Sequence, residues 1–527
     1  MRTVLIPAID AGLALQAARP GSPCAGRYPA TDPHRQDSRW IPFPKEELDR
    51  IQEKNMRSID QIYIDGDFAP ATGEDVLDII NPATEKTIGT YRMASREDAR
   101  RGVAAAKRAQ PRLAATRVSE RIEMLRSLQS SVLARTDDIR DATIEEYGGP
   151  VSRAKWISQY SSDCFGFAAE TLASFAFERR AGVSTVHMEP VGVSTLIAPW
   201  NASAGTICSK LASALAAGCA SVIKPSELSG MQNQVVAEAL HAAGLPPGAI
   251  NIVTGRGNDV GDELTTNPDV RRVSFTGSTA TGKVIAKAGI DTMKRVTLAM
   301  SGKSPAILLD DAEFSQAIPM ALSAGFQNNG QACIAGTRIL VPRARLKEAN
   351  EIVQSSVAAF RVGDPADPGT TVGPVASATQ FERIQRYIAA GLSQGASLLA
   401  GGPGKPEGLD AGFFVKPTIF TEVTNDMDIA RDEIFGPVLV LIPYDGEENA
   451  VRIANDSLYG LEAYIYSANL ERAQAVARRI HAGTVLINRT APDLLAPFGG
   501  VRQSGIGREF GTFGIESFLE AKTITLA

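Results

Sequence analysis

From Val191 onward the chain alternates between two hydrophobic rhythms. Short apolar runs of strand length, "VSTLIAP", "SVIKP", "INIVTG", "RVSFTG" and "RVTLAM", are separated by stretches with helical spacing. Those stretches are "AGTICSKLASALAAG", "MQNQVVAEALHAAG", "NDVGDELTTN" and "TATGKVIAKAG". Strand and helix alternate about five times, which predicts an α/β fold: a parallel sheet covered by helices on both faces. Ligands of such a sheet lie at the carboxyl ends of its strands. Upstream, "SREDARRGVAAAKRA" opens on a Ser N-cap with an acidic first turn and predicts a helix, followed by two more amphipathic segments up to Gly148. "FERRAGVSTVHMEPVG" reads as an extended hairpin. "RVTLAMSGKSPAILLDD" reads as two short buried strands broken by Ser301-Gly302-Lys303. A second α/β stretch runs from Ser304 to about residue 490, with turns in "GDPADPGTTVGP" and "GGPGKPEG".

Residues 20–45, rich in Pro, Arg and Asp and without periodicity, read as a disordered or loosely draped extension, so folded sequence is expected from Met56. The first residues faintly imitate a signal peptide, but Pro7 and Asp10 interrupt the apolar stretch. At 527 residues the chain exceeds what one hydrophobic core supports, so two or more domains are expected. With 54 basic against 59 acidic residues, nothing points to nucleic acid or an anionic membrane as partner. No apolar run is long enough to span a bilayer. The five cysteines lack paired spacing and the four histidines are scattered, which argues against a disulfide framework or a metal site and for a reducing cytoplasm.

Several motifs could carry chemistry. "FTGSTATGK" follows a strand and opens a helix, where backbone N–H groups can meet a phosphate. It nearly matches a P-loop, but Val284 stands where the magnesium-binding hydroxyl belongs, which disfavours an NTPase. "GLSQG" matches a nucleophile elbow, yet helix precedes Ser393 and strand follows, the reverse of the required order. Asn201, in "APWNASAG", could donate an amide hydrogen bond into a cleft or cap the next helix. Lys224 and Glu227 end another strand, where a solvated loop is the alternative. Cys333 lies between Gly330, Gln331 and Gly336, where backbone can approach a substrate closely; a lone cysteine is otherwise a small core residue.

Taken in order, Pro199-Trp200-Asn201, Lys224-Pro225-Ser226-Glu227, Phe275-Thr276-Gly277-Ser278-Thr279, Gly330-Gln331-Ala332-Cys333, Glu433-Ile434-Phe435-Gly436-Pro437 and Pro497-Phe498-Gly499-Gly500 resemble the aldehyde dehydrogenase superfamily. The match covers residues 58–527. The resemblance implies a Rossmann-type NAD(P)-binding domain (56–171 and 193–301), an α/β catalytic domain (302–503) and a small β oligomerisation domain (172–192 and 504–527), after a leading segment 1–55. It implies an aldehyde substrate and a homodimer or homotetramer. By position, Cys333 is the nucleophile, and Asn201 with the Cys333 backbone N–H forms the oxyanion hole. Trp200, Lys224, Ser226, Glu227, Gly277, Ser278, Glu433 and Phe435 fall at cofactor-binding positions. Glu227 favours NAD, because an acidic residue repels a 2′-phosphate, while NADP stays open.

One departure stands out. The family's usual Glu-Leu-Gly-Gly-Lys-Ser reads Ala299-Met300-Ser301-Gly302-Lys303-Ser304 here, so the general-base position is Ala299. General acid–base assistance is typically worth about 10²–10⁴-fold, and water-dependent deacylation is expected to be impaired or rerouted. A remote carboxylate, Glu509 or Glu462, could substitute; coenzyme A could take the acyl group; or the chain could bind its ligands with little turnover. Met300 and Ser301 also differ, which favours natural divergence over a single engineered change. Phe165, Phe167 and Phe326 could form an apolar substrate wall or simply pack a core.

Overall fold

The computed structural model describes residues 57–526; the expectation for residues 1–55 lies outside them. Two large sheets organise the chain. In the first, five parallel strands stand in the order Arg295–Ala299, Arg272–Thr276, Ser194–Ile197, Ser221–Lys224, Ile250–Ile252. Numbered along the chain this is 5-4-1-2-3, the doubly wound order, whose switch point falls between Ser194–Ile197 and Arg272–Thr276. Antiparallel strands close both edges: Gly505–Ile506 beside Leu298 and Ala299, and Gln61–Ile64 with Asp67–Pro70 on the far side. The central strands Ser194–Ile197 and Ser221–Lys224 are buried along their whole length, which is why they read as continuous apolar runs.

The second sheet has seven strands, with Pro305–Leu308 between Arg338–Pro342 and Glu462–Tyr466, and all neighbours parallel except the edge pair Ser397–Ala400 and Thr418–Thr421. A third sheet pairs the hairpin Glu178–Ala181 and Ser184–Pro190 with Leu519–Thr525. Ser95 caps the helix Arg96–Ala114 through a reciprocal bond with Asp98, as its sequence predicts.

The two strands of "RVTLAMSGKSPAILLDD" do form, but in different sheets: Arg295–Ala299 edges the parallel run of the first and Pro305–Leu308 sits inside the second. Residues 300–304 are therefore the crossing between sheets. Met300 N donates to Ser504 O at 2.9 Å, and the buried Arg338 donates Nε to Lys303 O at 2.9 Å. Arg338, on the second sheet, also donates to Ile453 O and Ala454 O, so one guanidinium ties the crossing to the helix Glu447–Asn455.

Candidate active site

A cleft of about 1170 Å³ opens at the carboxyl ends of the first sheet, at the switch point. Six of the eight residues expected at cofactor-binding positions line it: Trp200, Lys224, Ser226, Glu227, Gly277 and Ser278. Each stands at a strand end or in the turn after it, so the sheet alone brings them together. Lys224 is 5% exposed, and its Nζ lies 3.5 Å from Glu227 Oε2 and 3.2 Å from Pro225 O. A solvated pair is thus not what forms; burial lowers the Lys224 pKa, and Glu227 partly opposes the shift. A Cβ on Gly277 would lie 2.5 Å from the Phe275 ring, so any larger residue here would have to displace that ring. Ser278 caps the helix Thr279–Ile290 by accepting from Thr281 N.

The P-loop likeness does not carry over into the fold. Lys283 Nζ donates to Gln503 Oε1 at 3.1 Å, and the apolar Val284 lines the cleft. The "AILLDD" strand belongs to the other sheet, where Asp310 and Asp311 pair with Arg472. Ser393 ends the helix Ala378–Ser393 and precedes the strand Ser397–Ala400, so no nucleophile elbow forms. Phe165 and Phe326 are core residues at 0% and 1% exposure; Phe167 lines a small separate cavity with Tyr160, Cys164 and Phe510.

Cys333, Asn201, Ala299, Glu433 and Phe435 are not among the residues that line the cleft. Trp200 bridges the two regions, with its ring 5.4 Å from Phe435 edge-on and 6.0 Å from Tyr147. Asn201 does not cap its helix; its Nδ2 donates to Gln331 O at 2.8 Å. That bond uses one amide hydrogen and fixes the group, leaving the second free to donate. Phe435, held at φ +62°, is pinned through its carbonyl by Gln380 Nε2 at 2.6 Å.

The loop carrying Cys333 turns through three consecutive left-handed residues, Asn328, Asn329 and Gly330. Asn329 holds it by donating to Gly148 O and Pro374 O and accepting from Gly373 N. Gln331 donates to Tyr147 Oη and accepts from Ala376 N. The Asn-Asn-Gly run signals the turn, because these types tolerate positive φ, whereas its partners have no local signature. Arg153 Nε also donates to Asn328 Oδ1 at 3.4 Å, and neither it nor Tyr147 carries a local signal in the sequence.

Cys333 is partly exposed, yet the protein crowded around it pushes the thiol up to about 12, chiefly by desolvation and further through Glu433 and Glu462. Glu433 Oε1 accepts from Gly302 N at 3.0 Å, in the crossing between sheets. Burial raises the Glu433 carboxyl, while Ser301, Gly302 and Lys303 hold it down. A Cβ on Gly302 would lie 2.3 Å from Cys333 O, so the crossing passes directly beneath the nucleophile loop. Ala299, 4% exposed, ends its strand with a methyl group and brings no proton-carrying side chain.

A doubly wound parallel sheet with a crevice at its switch point defines the class of α/β nucleotide-binding folds. The model of the aldehyde dehydrogenase family matches residues 68–524, and the chain belongs to that family. The 3-succinoylsemialdehyde-pyridine dehydrogenase of a Pseudomonas species is 42% identical over 471 residues, covering 89% of this chain and 99% of its own. An aldehyde dehydrogenase C variant from Pseudomonas syringae, solved with NAD+ and octanal, superimposes with a TM-score of 0.87 at 40% identity, covering 89% and 98% of the two chains. The Mycobacterium tuberculosis aldehyde dehydrogenase complexed with NAD+ gives 0.87 at 38% identity, covering 90% and 99%. Among the described residues no helix is long and apolar enough to cross a membrane.

Proposed function

We propose that this chain oxidises an aldehyde with NAD through a covalent intermediate on Cys333, and that release of the acyl group is its slow step. The supporting observation is a cleft lined by Trp200, Lys224, Ser226, Glu227, Gly277 and Ser278, together with a partly exposed Cys333, in a chain whose general-base position is Ala299. The cleft fits a dinucleotide on its own terms: its volume is about 1170 Å³, Gly277 lets backbone approach closely, and a twelve-residue helix begins at its rim. Lys224, Ser226 and Glu227 would hold the adenosine side, Gly277 and Ser278 the pyrophosphate, and Glu433 and Phe435 the nicotinamide side. Bound NAD supplies the hydride acceptor.

The rest falls to side chains of the protein. The Cys333 Sγ–H bond breaks, its proton passing to solvent, as Sγ adds to the aldehyde carbon; the oxygen that becomes anionic accepts hydrogen bonds from the second Asn201 amide N–H and the Cys333 N–H. Loss of hydride from that carbon leaves a thioester on Sγ. Water must then attack the thioester carbon, and Ala299 can accept no proton from it. Association into a dimer or tetramer through the free edge of Leu519–Thr525 accompanies this reading, and light scattering reads the state.

Rapid mixing of the protein with NAD and an aldehyde panel tests the proposal. The expected trace is a burst of NADH near one equivalent of sites, followed by slow turnover. Linear formation from the first turnover rejects slow deacylation. Turnover that depends on added coenzyme A replaces water as the acceptor.

A further inference from the structure

We infer that Arg153 receives a carboxylate at the far end of the aldehyde, so that this chain prefers aldehydes carrying an acid group to neutral ones of equal length. The inference rests on the reading of Cys333 as nucleophile and names the substrate class of that site. Arg153, Trp156 and Tyr160 stand at i, i+3 and i+7 on the helix Val151–Ala173 and share one face. The Arg153 guanidinium lies 4.3 Å from the centre of the Trp156 ring, and Trp156 stacks on Tyr160 with centroids 5.0 Å apart and planes at 13°. Tyr160 meets Phe510 edge-on at 6.5 Å, and Phe510 stacks on Phe498 at 5.6 Å. Trp156 is 41% exposed, so this row of side chains reaches the surface.

The inner side of the row rests on the supports of the reacting groups. Arg153 Nε donates to Asn328 Oδ1 at 3.4 Å, and Asn328 Nδ2 donates to Asn201 O at 2.9 Å and to Gln331 O at 3.1 Å. A single side chain therefore separates Arg153 from the oxyanion-hole asparagine and from the residue two before Cys333. Tyr160 lies against the helix that follows Asn201, for a Cβ on Gly205 would be 2.8 Å from its ring. An aldehyde with its carbonyl at Asn201 and Cys333 has this face of the helix Val151–Ala173 as a flank for its tail, and Arg153 is the cation on it.

The guanidinium lacks an anion. Burial lowers its pKa, and Tyr147, Cys333 and Tyr160 oppose the shift; none of these is a carboxylate. Among the described residues three other arginines are lowered by burial, and each has protein oxygens on its terminal nitrogens. Arg121 binds Ala216 O, Arg272 binds Thr297 and Ser517, and Arg338 binds Asn425, Ile453 and Ala454. Arg153 has its bond from Nε and, among the described residues, none from Nη1 or Nη2. Those two nitrogens are not sealed in the core, so a ligand can reach them. A cation drawn out of water without an acceptor is costly, and an incoming anion offsets that cost. The planar fork matches a carboxylate through two parallel N–H···O bonds, and the Trp156 ring fixes its plane. One guanidinium balances one carboxylate. A phosphate, at about −1.5 to −2, would call for a second cation, and this face of the helix carries none.

Turnover of the half-aldehydes of succinate and adipate, each set against the alkanal of equal length, reads the preference in the full chain with NAD. The quantity is the ratio of kcat/KM values, acid over neutral. The wild type is expected to favour at least one half-aldehyde by about tenfold or more, and Arg153→Gln should lower that ratio by about 10²-fold. A fall shared by acid and neutral aldehydes, with the ratio unmoved, means that Arg153 merely supports the Asn328 loop, and overturns the inference. A wild type that favours the alkanals overturns it too. Should Arg153→Gln fail to fold, Arg153→Lys decides, because it keeps the charge and loses the fork: a ratio cut by about fivefold or more upholds the inference and an unmoved ratio rejects it. Calorimetry with the adipate half-aldehyde on the NAD-loaded Cys333→Ala variant separates binding from chemistry. Binding that is lost on adding Arg153→Gln, in a protein that yields no NADH from any aldehyde, discards aldehyde oxidation and leaves the anion site standing. An NADH burst at equal rates from acid and neutral aldehydes discards this inference alone.

Discussion

The nucleotide cleft and the nucleophile loop are built in opposite ways. Each of the six cleft residues Trp200, Lys224, Ser226, Glu227, Gly277 and Ser278 ends a parallel strand or occupies the turn after it, so forming the sheet brings them together. The loop bearing Cys333 is held by side chains whose partners lie 44 to 184 residues away. A cleft of local origin tolerates change beyond its own turns. A loop of distant origin requires both sheets to be assembled around it. Substitutions should therefore separate cofactor binding from chemistry.

The largest separation is expected from Cys333→Ala. It should abolish the aldehyde-dependent NADH burst while leaving NAD affinity, read by fluorescence quenching, within about twofold of the parent, because Cys333 does not line the cleft. Loss of NAD binding in this variant would mean that the two regions do not behave independently. Asn201→Ala comes next. Removing one oxyanion donor typically slows the chemical step by about 10²–10³-fold, and the burst rate should fall in that range. An unchanged burst would remove Asn201 from the oxyanion hole. Ala299→Glu should act on the other half of the cycle, leaving the burst amplitude alone and raising steady-state turnover by about 10²-fold. Unchanged steady-state turnover would mean that deacylation is not limited at this position.

The same division governs what the sequence reveals. Alternating periodicity and strand-end turns made the parallel sheet, its ligand edge and the residues from Trp200 to Ser278 legible, because each signal lies within a few residues of its consequence. The turn at Asn328-Asn329-Gly330 was legible in residue type, but its anchors Tyr147, Gly148 and Gly373 were not, since pairing across sheets leaves no local pattern. Nor did periodicity disclose that the strands flanking Ser301-Gly302-Lys303 enter different sheets; both are simply short and apolar. Glu462 and Glu509 looked alike as candidate carboxylates by neighbourhood. Only the fold separates them, leaving Glu462 without a partner and Glu509 bonded to Lys210 and Ser274.

The smallest effect concerns cofactor choice and stays within the cleft. Glu227 is a third exposed, so its repulsion of a 2′-phosphate is partly screened, on the order of 1 kcal/mol at physiological salt. Glu227→Gln should raise the NADP to NAD preference by about fivefold, measured as the ratio of kcat/KM values, while the burst rate at saturating NAD stays constant. The gain has a defined pH dependence. Lys224, lowered by burial, is held charged in part by Glu227. Without that neighbour Lys224 deprotonates at lower pH than before, so its attraction for the extra phosphate weakens as pH rises. The preference should be greatest on the acidic side and decline towards basic pH. A gain that grows with pH would assign cofactor discrimination to a group other than this pair.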